Sequence, residues 1–386
     1  MTPQFLEGNR LTLLRSGAEY FPALEAAIRA ARHAVHLETY IYMEDETGLR
    51  ITEALCEAAR RGVAVHVLVD GFGAKDMPEA LKARLREAGV QLLIYRQQIS
   101  PFALQRQRLR RMHRKAAAID GRVAFIGGIN IIDDMHTPGH TPPRYDYAVR
   151  IEGPLLLPVQ RLVEHLWRLI TWARFKRRRR LERRLPVADS PIGNQRAALV
   201  VRDNLRHRSD IENAYLEAIE SAREEIILAN AYFFPGKRFR HALMGAARRG
   251  VRVILLLQGR VEYVLLHYAS RALYGTLLDA GVQIHEYHKS FLHAKVAVID
   301  GLWATVGSSN IDPFSLLLAR EANVVVEDRR FAAELRASLR EAMKDGAHVI
   351  ERMSWRRKPL GRRMMIWIAY AFTRFLMGMA GYGGQH

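Results

Sequence analysis

The chain repeats itself. The segment Leu11–Glu152 can be laid over Ala198–Asp328, and the same anchors return in the same order. A strand-like run, His36–Tyr42, matches Ile226–Phe234, and each is followed by a helical stretch ending in Ala-Arg-Arg-Gly-Val, at 59–63 and 247–251. Ile51, Ala54, Leu55 and Ala58 fall at helical spacing, so that helix turns one apolar stripe to a sheet, and Gly62 closes it. Buried-strand runs follow at Val63–Val69 and Val251–Leu257, then Ala-Gly-Val-Gln at 88–91 and 280–283. This alternation predicts an α/β protein of two homologous halves, each a mixed β-sheet with largely parallel strands flanked by helices, packed with pseudo-two-fold symmetry. The halves are assigned to 1–173 and 196–345, with a basic linker at 174–195 and a basic, apolar tail at 346–386. The first copy takes 18 steps from Tyr95 to His113 where the second takes 6 from Tyr287 to His293, and the excess carries Arg106, Arg108, Arg110 and Arg111.

Each copy closes on one pattern. His113, Lys115, Asp120, Gly127, Gly128 and Asn130 return as His293, Lys295, Asp300, Gly307, Ser308 and Asn310, offset by 180 throughout. His and Lys two apart are expected on the same face of a strand. A neutral imidazole can attack phosphorus, while ammonium groups beside it neutralise the phosphoryl oxygens as charge builds; Asn130 and Asn310 add donors. Displacing an alcohol from a phosphodiester needs a nucleophile and a proton donor on opposite sides, which two halves supply and one does not. A metal site is the competing reading of clustered His and Asp, but two lysines repel a divalent cation, and the motifs themselves carry neither His-x3-His nor cysteine spacing. The expectation is therefore no metal and no cofactor.

The paired motifs resemble those of the phospholipase D superfamily over nearly the whole repeat, and within it the bacterial cardiolipin synthases of the B type. The segments that carry the likeness are Leu37-Glu-Thr-Tyr-Ile, Arg111-Met-His-Arg-Lys, Asn230-Ala-Tyr-Phe-Phe-Pro-Gly and Trp303-Ala-Thr-Val-Gly-Ser-Ser-Asn-Ile-Asp-Pro. The resemblance implies a phosphatidyltransferase working through a phosphohistidine, with His113, Lys115, Asp120, His293, Lys295 and Asp300 as the catalytic set. It also implies that an acidic residue beyond each motif orients the other half's imidazole, which assigns Glu321 to His113 and Asp146 to His293. By the same likeness Asp120 and Asp300 are structural more than chemical, at a strand-end turn beside Gly121 and Gly301. His113 is taken as nucleophile and His293 as acid, then base, with the reverse left open by the symmetry. Gly128 against Ser308 breaks that symmetry: if the Ser308 hydroxyl binds a phosphoryl oxygen, only one half supplies one. Glu38 is read either as facing the site or as a buried structural carboxylate, and His136 and His140 as a polar surface loop.

Charge narrows the partners. The 59 Lys+Arg against 40 Asp+Glu leave +19, which suits an anionic lipid surface or nucleic acid. Apolar stretches flanked by arginines, Met364–Met379 and Leu162–Phe175, favour the lipid. The first falls short of the roughly 20 uninterrupted apolar residues a crossing needs, so it is expected to lie on the membrane, with a helix packed on the protein's own surface as the plainer alternative. With Cys56 the single cysteine and no signal-like run in Met1–Leu13, the expected place is the cytoplasmic face of the bacterial cell membrane, held peripherally. Expected partners are that anionic membrane and phospholipid substrates, with nucleic acid unlikely on this reasoning. Cardiolipin synthesis leads the functions, ahead of a related phospholipase or head-group exchange enzyme and a nuclease of the same superfamily.

Overall fold

The computed structural model describes residues 3–96, 111–137, 139–175, 186–203, 206–260, 264–312, 319–356 and 360–377. The first half runs β1 (Leu6–Arg15), α1 (Ser16–Arg29), β2 (Ala34–Thr39), α2 (Glu46–Arg60), β3 (Ala64–Asp70), α3 (Glu79–Glu87), β4 (Gln91–Tyr95), β5 (Arg111–Met112), β6 (Lys115–Ile119), β7 (Val123–Gly127), β8 (Arg144–Tyr145), β9 (Tyr147–Glu152) and α4 (Leu156–Phe175). The second runs β10 (Gln195–Arg202), α5 (Asp210–Ser221), β11 (Glu225–Asn230), α6 (Lys237–Arg248), β12 (Arg252–Gln258), α7 (Val264–Arg271), α8 (Tyr274–Asp279), β13 (Gln283–Tyr287), β14 (Phe291–Leu292), β15 (Lys295–Ile299), β16 (Trp303–Gly307), β17 (Ala319–Glu327) and α9 (Arg329–Gly346). Then come β18 (Ala347–Val349), α10 (Arg352–Arg356) and α11 (Leu360–Met377).

One large sheet spans both halves in the order β18-β13-β12-β11-β15-β16-β17-β10-β1-β9-β7-β6-β2-β3-β4. Apart from β18 at one edge, this order reads the same from either end once each strand is replaced by its counterpart, with the antiparallel pair β1–β10 at the centre. The strands are largely parallel only within β2–β3–β4 and β11–β12–β13. The other neighbours in this order are antiparallel; β6–β7 and β15–β16 are hairpins, and a hairpin forces that pairing. Each turns on an Asp-Gly pair, Asp120-Gly121 and Asp300-Gly301, with all four residues at positive φ, the geometry that matches strand twist.

Helices cover both faces. Ile51, Ala54, Leu55 and Ala58 of α2 are buried together with Val65, Val67 and Val69 of β3, while the Asp45 side chain caps the helix by accepting from Gly48 N at 2.9 Å. On the opposite face, α4 and α9 share one core with β6, β7, β9, β15, β16 and β17, so the halves are joined by apolar packing as well as by the sheet.

The basic run 176–180 and the arginines at 106, 108 and 110 lie outside the described residues. From Pro186 onward the segment between the halves is tied down by backbone, Ala188 N to Gly121 O at 2.8 Å and Ile192 N to Gly8 O at 2.9 Å. Of the tail, β18 adds to the edge of the sheet, and α11 packs against α7.

Candidate active site

Two short strands cross between the halves. β5, just ahead of His113, pairs in parallel with Ala319–Arg320 of β17, and β14, just ahead of His293, pairs with Arg144–Tyr145 of β8. His113 N donates to Arg320 O at 3.1 Å and His293 N donates to Tyr145 O at 2.8 Å. The residue after each of those acceptors is a carboxylate. Backbone pairing therefore delivers Glu321 to His113 and Asp146 to His293, the exchanged arrangement that the likeness implied.

His113 Nδ1 donates to Glu321 Oε1 at 2.9 Å, and His293 Nδ1 donates to Asp146 Oδ2 at 2.6 Å. A carboxylate only accepts, so both contacts hold the proton on Nδ1 and leave Nε2 with its lone pair. Neither histidine lies within β6 or β15; both sit in the short connection just before the strand that begins at the lysine. Lys115 Nζ nevertheless folds back onto His113 O at 2.6 Å, and Lys295 Nζ lies 2.9 Å from His293 Nδ1 and 3.6 Å from Asp146 Oδ2.

Electrostatics tie the two sides together. Burial, then Lys295, pushes the His293 imidazole down to about 3 against the pull of Asp146, and Lys115 of the other half adds to the depression. His113 is also lowered by burial, and Lys295 reaches it across the halves. Burial and the neighbouring Lys295 bring the Lys115 ammonium down to about 7 despite Glu321. Burial alone would raise the Asp146 carboxyl, but Lys295 and His293 outweigh it and hold it below the usual carboxylate range. The ligand-free cluster is thus short of negative charge, the condition under which an anion binds. Among the described residues no group of three His, Cys, Asp or Glu side chains converges as metal ligands.

The pairs flanking the carboxylates differ. Ser308 Oγ donates to Glu321 Oε2, so its hydroxyl is spent on the carboxylate that holds His113, leaving the carboxylate as its partner in place of the phosphoryl oxygen considered from sequence. Gly128 stands in the counterpart position because a Cβ there would lie 2.3 Å from Asp146 Oδ1. The shorter aspartate draws its carboxylate in against the strand, which demands glycine; the longer glutamate leaves room for serine.

Asp120 and Asp300 stand apart from this cluster, at the far end of β6 and β15, roughly 16 Å along the strand from each lysine. Asp120 accepts from the amides of Arg32, His33 and Ala34, and Asp300 from those of Arg223, Glu224 and Glu225. They pin the start of β2 and β11, which is a structural role. Asn130 gives its carbonyl oxygen to Ile41 N at 3.0 Å, and Asn310 is buried in the matching loop. Glu38 pairs across β2–β6 with Ala116 and therefore lies on the face opposite Lys115, where it takes the Arg114 guanidinium in a buried, two-pronged ion pair. The sequence reading missed Tyr40, whose ring edge meets His113 at 4.9 Å and carries Lys115 Nζ at 5.4 Å, and Tyr232, whose ring lies 6.4 Å from that of His293. His140 lies part-buried in the loop expected for it, and its ring stacks at 4.4 Å on Phe291, itself 5.9 Å from His293, a contact the sequence reading did not give. The recurrence of an aromatic just after β2 and β11 was the available signal for the tyrosines; nothing local marked His140.

The family described as cardiolipin synthase, PLD-like domain, matches residues 24–167 and 215–343. Cardiolipin synthase B of Escherichia coli K12 is 39% identical over 98% of this chain and 91% of its own length. The chain belongs to the phospholipase D-like cardiolipin synthase family. A second member, cardiolipin synthase of Geobacillus kaustophilus, is 32% identical over 95% of this chain and 72% of its own. In fold, this family member resembles phosphatidylserine synthase of Haemophilus influenzae, with TM-score 0.70 and 13% identity over 99% of this chain and 97% of the other. Polyphosphate kinase of Porphyromonas gingivalis follows at TM-score 0.60 and 15% identity, with 96% of this chain and 53% of the other covered.

Proposed function

We propose that the chain is a cardiolipin synthase that moves a phosphatidyl group from a phospholipid donor to a hydroxyl of phosphatidylglycerol. The observation that carries this reading is the exchanged pair of imidazole–carboxylate contacts, each freeing one Nε2 within a buried cluster holding both lysines. His113 Nε2 attacks the donor phosphorus as the head-group alcohol departs, taking a proton from protonated His293. The phosphatidyl group then sits on His113. His293, now neutral, takes the proton of the acceptor hydroxyl, whose oxygen attacks phosphorus and releases His113. Atoms balance as donor plus phosphatidylglycerol giving cardiolipin plus the free head-group alcohol.

His293 resists protonation in the empty site, and the bound phosphodiester anion supplies the charge that raises it. Lys115, Lys295 and the carboxamide NH2 groups of Asn130 and Asn310 neutralise the phosphoryl oxygens. Because two ammonium groups already occupy the space around the phosphate, the reaction needs no divalent cation.

The enzyme docks on the cytoplasmic face of an anionic membrane. Its α11 turns Ile366, Ala369 and Thr373 inward and leaves Met364, Trp367, Ile368 and Phe372 exposed. Tyr370 meets Phe234, which lies two residues beyond Tyr232 beside His293, so this apolar face borders the site. No helix among the described residues is long and apolar enough to cross a membrane.

The test is reconstitution in phosphatidylglycerol vesicles with lipid mass spectrometry. Cardiolipin with equimolar glycerol, formed in the presence of a chelator, is expected. Phosphatidic acid as the sole lipid product would make the protein a phospholipase, and loss of turnover on chelation would restore a metal.

A further inference from the structure

The two approaches to the site are not equivalent. Phe72, just past the end of β3, is 45% exposed and is bracketed by cations, with the Arg111 guanidinium 5.5 Å and Lys75 Nζ 5.7 Å from its ring centre. This group belongs to the rim of the catalytic cluster. Arg111 is two residues from His113, which keeps their Cα atoms within about 8 Å. A Cβ on Gly73 would lie 2.2 Å from Tyr40 O, so the Phe72 loop rests on the residue whose ring meets His113. Asp70, at the end of β3, takes Met112 N at 2.8 Å and Phe72 N at 2.9 Å, fixing β5 and the loop to each other.

The Nη1 of Arg111 is buried and has no hydrogen-bond partner among the described residues. A guanidinium nitrogen held out of water without an acceptor is destabilising, and such a position is explained when a ligand supplies the acceptor. In the second half the same positions are reversed: Phe291 stands for Arg111, and Arg260, past the end of β12, stands for Phe72. There Arg260 is already engaged, donating twice to His288 O at 2.9 and 2.7 Å. Among the described residues, an unpartnered guanidinium nitrogen in this rim position is thus found on the His113 side.

Cardiolipin synthesis asks for such a one-sided feature. Its acceptor is itself a phosphodiester, so when the acceptor hydroxyl reaches the phosphohistidine, a second phosphate anion lies one glycerol away. Water or a simple alcohol brings no such charge. We infer that Arg111 and Lys75, set around Phe72, form the subsite that binds the acceptor's own phosphate. The guanidinium takes its oxygens, Lys75 adds a second positive charge, and the exposed Phe72 ring lies against the lipid beside it. This rests on the proposed synthase reading.

The experiment measures two products at once, with Arg111→Gln and the surface change Lys75→Gln in phosphatidylglycerol vesicles containing butanol. Released glycerol reports donor turnover; cardiolipin against phosphatidic acid and phosphatidylbutanol reports which acceptor resolves the intermediate. The expected result is glycerol release within about twofold of wild type and a cardiolipin share lowered about tenfold, with the other two products rising to compensate. An unchanged product ratio in both variants overturns the subsite, as does glycerol release falling in parallel with cardiolipin. A matching loss of adsorption to anionic vesicles also overturns it, by assigning the cations to the membrane surface at large. Wild-type protein that releases no glycerol defeats the synthase reading instead.

Discussion

Glu321 grips His113 from the other half of the molecule, Oε1 accepting from Nδ1 at 2.9 Å while Oε2 takes the Ser308 hydroxyl. A carboxylate held at both ends fixes the imidazole more firmly than one held at a single end. Glu321→Gln keeps the shape but lets Nδ1 become the acceptor, placing the proton on the attacking nitrogen. Turnover is expected to fall about 10³–10⁴-fold with KM little changed. Ser308→Ala loosens the carboxylate without changing the tautomer, and a loss of about tenfold is expected. Steady-state kinetics on both variants separates the two effects; equal losses would deny the tautomer argument.

The two histidines are expected to fail differently. With His113→Ala no covalent adduct forms, whereas His293→Ala lacks the base that resolves it, so phosphatidyl-enzyme accumulates with a slowly leaving donor replaced by one carrying a good leaving group. Intact-protein mass spectrometry shows which variant gains the mass of a phosphatidyl group. Adduct on the His113→Ala variant would reverse the roles.

Lys115 sets a pH dependence of stability. Its ammonium sits at about 7 in the folded protein, against an ordinary lysine value of 10.5. The unfolded chain holds that proton more tightly, so between pH 10.5 and 7 each step of acidification favours unfolding, and below 7 the penalty is constant. The melting temperature of the ligand-free protein should therefore climb from pH 7 to pH 10, with a smaller slope in Lys115→Met. His293, depressed to about 3, imposes a second penalty as pH falls from 6.5 to 3. Inorganic phosphate should raise the melting temperature of the wild type at pH 7 and do so less in Lys115→Met. Parallel pH profiles for the two proteins would refute this assignment.

Gly128→Ser tests the asymmetry between the halves. Any Cβ at 128 meets the Asp146 carboxylate at 2.3–2.6 Å, so the carboxylate must swing away from His293. Activity is expected to drop about 100-fold. Coupling the change to Asp146→Glu reproduces the Ser308–Glu321 pairing and should restore part of it; a double variant no better than the single would refute the coupling.

Replacing Trp367 and Ile368 of α11 by glutamate places charge on the face turned away from α7. Co-sedimentation with anionic vesicles should fall about tenfold while the circular dichroism spectrum is retained. Undiminished binding would move the membrane contact elsewhere.

The duplicated motif made the two halves and the paired His113, Lys115, His293 and Lys295 legible in the sequence, because each copy carries one histidine and one lysine at the same spacing; the exchange of Glu321 and Asp146 was implied by the family likeness alone. The strand direction was not fully legible: helix–strand alternation predicts parallel pairing, yet the Asp-Gly turns at 120–121 and 300–301 fold the motif strands back on themselves. Long-range effects were hidden as well. That Glu38 meets Arg114 rather than the phosphate follows from the β2–β6 register, which no local pattern states. Likewise His140 reaches Phe291 through a chain reversal across the interface. For α11 the plainer reading holds on one side, which packs on the protein, while the other side is bare.

The exchange of short strands also sets when the protein can begin to work. A nascent chain that has already displayed His113 must be extended by 208 residues before the carboxylate that orients it leaves the ribosome. Both motifs have been made by then, so a translation product that stops short of Glu321 carries a histidine whose attacking nitrogen nothing orients.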